Sequence, residues 1–143
     1  PRLWEYRERH TEAVATLAAG LGPPHKMDVA LPLDRLGAFL AELPAATAPH
    51  PTYVWGHLVE GNLHVNVLGA APDDPVDEEV LRLAASYGGS IAAEHGVGVA
   101  KARLLHLTRS DAEIAAMRSV KRALDPDGLL NPGVLLPDGP RDV

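Results

Sequence analysis

The sequence predicts an α+β domain, an antiparallel sheet with helices on one face. Two observations carry this fold class. Period-two alternation marks His25 to Leu31 and recurs on both sides of Val59-Glu60-Gly61-Asn62, the pattern of a strand followed by a hairpin. Helically spaced segments separate and follow these strands, in the order α-β-α-β-β-α and then further helices. The composition agrees with a folded domain: 143 residues, 46% hydrophobic and 22% charged.

Arg2 to Ala19 has helical spacing through Leu3, Val14, Leu17 and Ala18, and stops at Gly20 and Gly22. Arg7 and Thr11, four residues apart, would share one face of that helix. After Pro23-Pro24 the strand places Met27, Val29 and Leu31 on one side, and Asp28 and Ala30 on the other. Leu36, Phe39, Leu40 and Leu43 set a helix over Leu33 to Leu43, with Asp34 as a cap and Pro44 as its end. Ala45 to Pro51 is a proline-punctuated loop, and Tyr53 to Leu68 is the hairpin. Val76, Val80, Leu83, Ala84 and Tyr87 define the next helix, which Gly88-Gly89 stop. Ser90 to Gly98 is small and Gly-rich, and Lys101 to Leu107 is a short helix. Ser110-Asp111-Ala112-Glu113 has capping-box spacing and opens a helix sustained by Ile114, Met117, Val120, Lys121 and Leu124. Asp125-Pro126-Asp127-Gly128 ends it, and the chain is expected to fray over 137–143.

Charge and composition exclude several classes. The net charge is −6, from 13 Lys+Arg against 19 Asp+Glu, and no basic run occurs, which argues against a nucleic-acid partner. No apolar stretch approaches the ~20 residues of a membrane span. The chain opens on Pro1 without a signal pattern, and the absence of cysteine removes disulfides, iron–sulfur clusters and thiol catalysis. A reducing, cytoplasmic setting is the expectation. Three strands form a thin sheet for this length, which suggests either missing strands or a larger whole from which this piece was taken.

The hairpin is where chemistry enters. With Glu60-Gly61 as a two-residue turn, His57 would face His64 and Trp55 would face Asn66. Val54, Leu58, Leu63, Val65 and Val67 would then form the core face, and Trp55, His57, His64 and Asn66 the other. Opposed Cβ atoms lie ~4.5–5.5 Å apart, so both imidazoles could reach one metal ion. The same spacing also suits two polar side chains on a solvent-facing sheet. A third ligand is available in Ala92-Ala93-Glu94-His95-Gly96-Val97-Gly98, and two His with one carboxylate leave coordination positions open. Arg7 with Thr11 suits a carboxylate, and equally an ordinary surface pair. Lys26 and Lys101 read as solvated, His10, His25, His50 and His106 as surface residues, and Asn131-Pro132-Gly133 as a turn.

Taken together, several segments resemble a known family. They are Leu3-Trp4 with Arg7-Glu8; Lys26-Met27-Asp28-Val29 with Leu31-Pro32-Leu33; Gly56-His57 through Gly61-Asn62-Leu63-His64 with Asn66-Val67; Gly88-Gly89-Ser90-Ile91-Ala92-Ala93-Glu94-His95-Gly96-Val97-Gly98 with Lys101; and Met117-Arg118 with Lys121, then Leu124-Asp125-Pro126 to Leu130-Asn131-Pro132-Gly133. They are similar to the carboxy-terminal part of FAD-linked 2-hydroxy-acid dehydrogenases and oxidases, a group that includes the glycolate oxidase flavoprotein subunit, D-lactate dehydrogenases and D-2-hydroxyglutarate dehydrogenase. The resemblance implies that residues 1–136 are part of the cap (substrate) domain of a vanillyl-alcohol-oxidase-type flavoenzyme, with a terminal helix that returns to the flavin domain. It implies oxidation of a 2-hydroxy acid to the 2-oxo acid, with FAD held mainly by a domain absent from this chain. By position it assigns His57, His64 and Glu94 to a divalent metal, zinc or manganese, and His95 as the general base. Arg7, Thr11, Lys26 and Asn66 become substrate-binding residues, and Asn131 a cofactor-side residue.

The sequence departs from that family in the His-to-His loop, where Val59-Glu60 replaces Gly-Asp, and after Asn131-Pro132-Gly133, where Val134 replaces a frequent Lys. Alternatives from other classes are a stand-alone metal- or small-acid-binding module, and a structural interaction domain with surface histidines. The expected partners are a small 2-hydroxy acid, the flavin-binding domain of the same protein, and a second copy through an unpaired sheet edge.

Overall fold

A computed structural model describes residues 2–136, without the side chains of Arg2 and Arg7; the tail 137–143 lies outside the described residues. The chain divides into two compact units, the first ending at Ala93 and the second beginning at Glu94.

The first unit holds α1 (Arg2–Glu8), α2 (His10–Leu17), β1 (His25–Ala30), α3 (Leu36–Thr47), β2 (Thr52–His57), β3 (Asn62–Val67) and α4 (Val76–Ser86). The strands form one antiparallel sheet in the order β1-β3-β2. Its apolar face carries Met27, Val29, Leu63, Val65 and Val67, all buried. Helix α4 packs on β1, and α3 on α4. Phe39 of α3 is fully buried and meets the Tyr87 ring edge-on, with centroids 6.4 Å apart. This is the expected α+β arrangement.

Several boundaries differ from expectation; α3 begins at Leu36 with Arg35 and not Asp34 at its N-cap, and the helix expected over Lys101 to Leu107 is split into Gly98–Ala102 and a 3-10 turn at Leu105–Leu107. The first helix breaks at Arg9 (φ −93°, ψ 1°), so Arg7 and Thr11 fall in different helices. The cause is unequal docking. Val14 of α2 and Ala18 at its C-terminal cap cluster with Leu68, with Trp55 packed against them, whereas Leu3, Trp4 and Tyr6 of α1 stay exposed. Helix α3 also runs through Pro44 to Thr47. A proline removes its own N–H bond to the preceding turn and crowds the carbonyl four residues back, and burial of Leu43 and Thr47 offsets that cost. Thr47 Oγ1 donates to the Leu43 carbonyl at 3.2 Å. Finally, Ser90 forms an antiparallel bridge with Ala30, which lays the segment after α4 along the β1 edge.

The second unit contains α5 (Gly98–Ala102), a turn of 3-10 helix at Leu105–Leu107 and α6 (Asp111–Leu124). The capping box at Ser110 is formed as expected: the Glu113 N–H donates to Ser110 Oγ at 3.3 Å, and Ser110 N–H returns to Glu113 Oε2 at 2.7 Å. The Ser110 N–H, together with the Ser110 hydroxyl that donates to the same Oε2 at 2.8 Å, holds the Glu113 carboxyl below its ordinary range. Among the described residues, no helix is long and apolar enough to cross a membrane.

Candidate functional site

Opposite the apolar face, the sheet presents Lys26 and Asp28 of β1, Asn62, His64 and Asn66 of β3, and Tyr53, Trp55 and His57 of β2. The hairpin register differs from the expected one by two residues. Trp55 pairs with His64, and His57 pairs with Asn62. The reason lies in the turn. A two-residue turn at Glu60-Gly61 would need φ > 0 at Glu60 as well as Gly61, a conformation unfavourable for Glu. Instead Leu58–Glu60 form a single turn of 3-10 helix, and only Gly61 is left-handed (φ +68°). The Leu31 N–H donates to the Gly61 carbonyl at 2.9 Å. A Cβ at Gly61 would lie 2.0 Å from the Leu31 carbonyl oxygen, so this close approach requires glycine.

A shift of two preserves the face while changing the partner. His57 and His64 therefore remain on one face as diagonal neighbours, their ring centroids 6.3 Å apart and nearly perpendicular. The Trp55 ring lies 6.3 Å from His64, and His10 of α2 lies 5.8 Å from Trp55. Leu58, expected in the core, is in the turn and exposed.

Asp28 is the feature that the motif reading missed. It is 1% exposed, pairs with His64 across β1 and β3, and places Oδ1 3.6 Å from His64 Nδ1. Its Oδ2 accepts the Ala93 N–H at 2.9 Å. The available signal was the single acid within an apolar alternation, on the same side as Lys26. Asn66, 2% exposed, donates Nδ2 to the His64 carbonyl at 3.3 Å and pairs with Lys26 across β1. Lys26 thus shares the histidines' face. Asn62 Oδ1 is buried with no hydrogen-bond partner among the described residues. Thr11 is exposed on α2, and the Arg7 side chain lies outside the described residues.

In the second unit, His95 Nε2 lies 3.8 Å from Glu94 Oε1, and both side chains are largely exposed. Asn131 is exposed and adopts a left-handed conformation (φ 43°), which Asn tolerates better than most residues. The turn leading to it is fastened by Asp125, whose carboxylate takes Lys121 Nζ and the N–H groups of Leu130 and Leu129, the latter two at 2.9 Å. These contacts, led by Lys121, lower the Asp125 pKa to about 2. Two histidines expected at the surface are instead paired and mostly covered. His25 Nδ1 lies 2.9 Å from Asp77, and His50 Nε2 lies 3.3 Å from Asp74.

Fold and site together define a class: an α+β domain whose sheet shelters imidazole, carboxylate and carboxamide groups on one face. A family model described as FAD linked oxidases, C-terminal domain, matches residues 1–135, and the chain belongs to that family. It is 41% identical to D-2-hydroxyglutarate dehydrogenase of Xanthomonas citri pv. viticola over 99% of this chain and 32% of that protein. The Stutzerimonas stutzeri enzyme of the same name is 38% identical over 92% of this chain and 30% of its own. The mitochondrial D-2-hydroxyglutarate dehydrogenase of Bos taurus is 38% identical over 94% of this chain and 25% of its own. The chain therefore spans about a third or less of the length of these relatives.

Proposed function

We propose that this chain supplies the substrate side of an FAD- and metal-dependent oxidoreductase that converts a 2-hydroxy acid to its 2-oxo acid. The names of the relatives favour D-2-hydroxyglutarate over D-lactate or glycolate. The observation that supports the metal is the chemistry of one sheet face, where His57 and His64 stand 6.3 Å apart between ring centroids beside a buried carboxylate. Imidazole nitrogens with one carboxylate suit zinc or manganese, and the third ligand in this reading is Glu94, which follows Ala93 directly in the chain.

An ion held by these residues would supply polarisation of the substrate's hydroxyl oxygen, and FAD would supply the hydride acceptor. The remaining work belongs to this chain. His95 takes the hydroxyl proton as general base, a role open to a neutral imidazole near neutral pH. Arg7, Thr11 and Lys26 hold carboxylate, and Asn66 lines the same face. Asn131 stands on the flavin side. The exposed apolar side of α6, with Val120 and Leu124, meets the flavin-binding portion of the full-length protein. The proposed setting is the cytoplasm.

Elemental mass spectrometry of the chain and of His64→Ala, after stripping and reloading with zinc or manganese, tests this reading. Near-stoichiometric metal in the parent and its loss in the variant are expected. No metal in either protein would overturn the ligand roles of His57, His64 and Glu94.

A further inference from the structure

Asp28 is a carboxylate in a place where carboxylates are expensive. It sits 1% exposed in the middle of β1, an edge strand on which the neighbouring positions, Met27 and Val29, are core. A buried carboxylate persists when its oxygens are aimed at donors. One oxygen of Asp28 accepts the Ala93 N–H at 2.9 Å; the other lies 3.6 Å from His64 Nδ1, an electrostatic contact just beyond hydrogen-bond distance. All three residues belong to the first unit. The carboxylate thus addresses two things at once: one nitrogen of an imidazole on β3, and the last backbone amide before Glu94.

An anionic oxygen opposite Nδ1 selects the ring form with the proton on Nδ1, because the alternative would set a nitrogen lone pair against a carboxylate. Nε2, the nitrogen turned away from Asp28, then keeps its lone pair. A histidine that serves as a metal ligand is commonly fixed in this way by a carboxylate on its second nitrogen. We propose that Asp28 is a positioning residue that sets the tautomer and orientation of His64 and anchors the backbone at Ala93. Its functional sense rests on the metal reading given above, whereas the tautomer does not.

The two can be tested apart. In the ¹⁵N-labelled chain at alkaline pH, two-bond ¹H–¹⁵N correlation of the imidazoles reports each tautomer, and His64→Gln assigns the His64 signals. The expected wild-type form carries the proton on Nδ1. In Asp28→Asn the side-chain oxygen can keep the Ala93 N–H, which turns an NH₂ donor towards Nδ1. The His64 ring should then switch to the Nε2–H form while the Ala93 amide stays protected from exchange. A wild-type His64 already in the Nε2–H form overturns the proposal without any variant. So does a folded Asp28→Asn whose ring is unchanged. Titration with Zn²⁺ should also show Asp28→Asn binding ~10–100-fold more weakly. A wild-type Nδ1–H ring in a chain that takes up no metal supports orientation by Asp28 and overturns the metal reading instead.

Discussion

The two units are stabilised by different means. The first places helices on an apolar sheet face, where Phe39, Val29, Val65, Val67, Val80 and Ala84 are fully excluded from solvent. In the second, the buried apolar residues among those described are Ala102, Leu104 and Leu105, and α6 buries none. What orders α6 and the turn behind it is polar and local: the Ser110–Glu113 box at its start and the Asp125 clasp at its end. A unit held by burial should lose stability when atoms are removed from its core. One held by caps should respond to the loss of single hydrogen bonds, and by less.

The largest effect that would break this contrast is at Phe39. Phe39→Ala should cost ~3–5 kcal/mol, the transfer and cavity terms of a fully buried aromatic ring. Val120→Ala on the exposed side of α6 should change stability by no more than ~0.5 kcal/mol. Urea unfolding of the two variants measures both. Equal losses would show that α6 is packed in solution as tightly as the sheet, and the distinction would fall.

The same contrast explains what could be read from sequence. The capping box was legible because a Ser and a Glu three residues apart satisfy each other, and nothing distant is required. The two faces of the hairpin were legible too, since alternation decides which side is apolar. The pairing partner of His64 was not. It depends on how the chain turns at residues 58–61, and that turn is set by contact between Gly61 and Leu31, thirty residues upstream. Burial of Asp28 and docking of Ser90 and Ala93 along β1 are likewise products of long-range pairing. Hence His57 and His64 could be named together as metal-ligand candidates because they share a face, while the burial of the carboxylate behind His64 emerged only from the fold.

A smaller effect sharpens the account of the second unit. Ser110→Ala removes the acceptor of the Glu113 N–H and should cost ~1 kcal/mol, felt first in the opening turn of α6. Amide exchange localises it: Glu113 and its neighbours should lose protection while β1 and β3 keep theirs. Loss spread evenly over both units would mean that they unfold as one.

The smallest effect is a pH dependence at the far end of α6. In the folded chain Lys121 and the N–H groups of Leu130 and Leu129 hold the Asp125 carboxyl near 2, against an ordinary value of 3.8. Between these values the unfolded chain binds the proton more readily than the folded one. The contribution of the clasp is therefore complete above the ordinary value, and is lost as pH falls through it towards 2. Carbon-detected titration of Asp125 should show a midpoint near 2, with the Leu129 and Leu130 amide shifts moving in the same step. Lys121→Met removes the leading cause, so its midpoint should rise towards the ordinary value. A wild-type midpoint at 3.8 with those amides unmoved would mean that the clasp is open in solution. The turn carrying Asn131 would then be held by its own backbone geometry and not by Asp125.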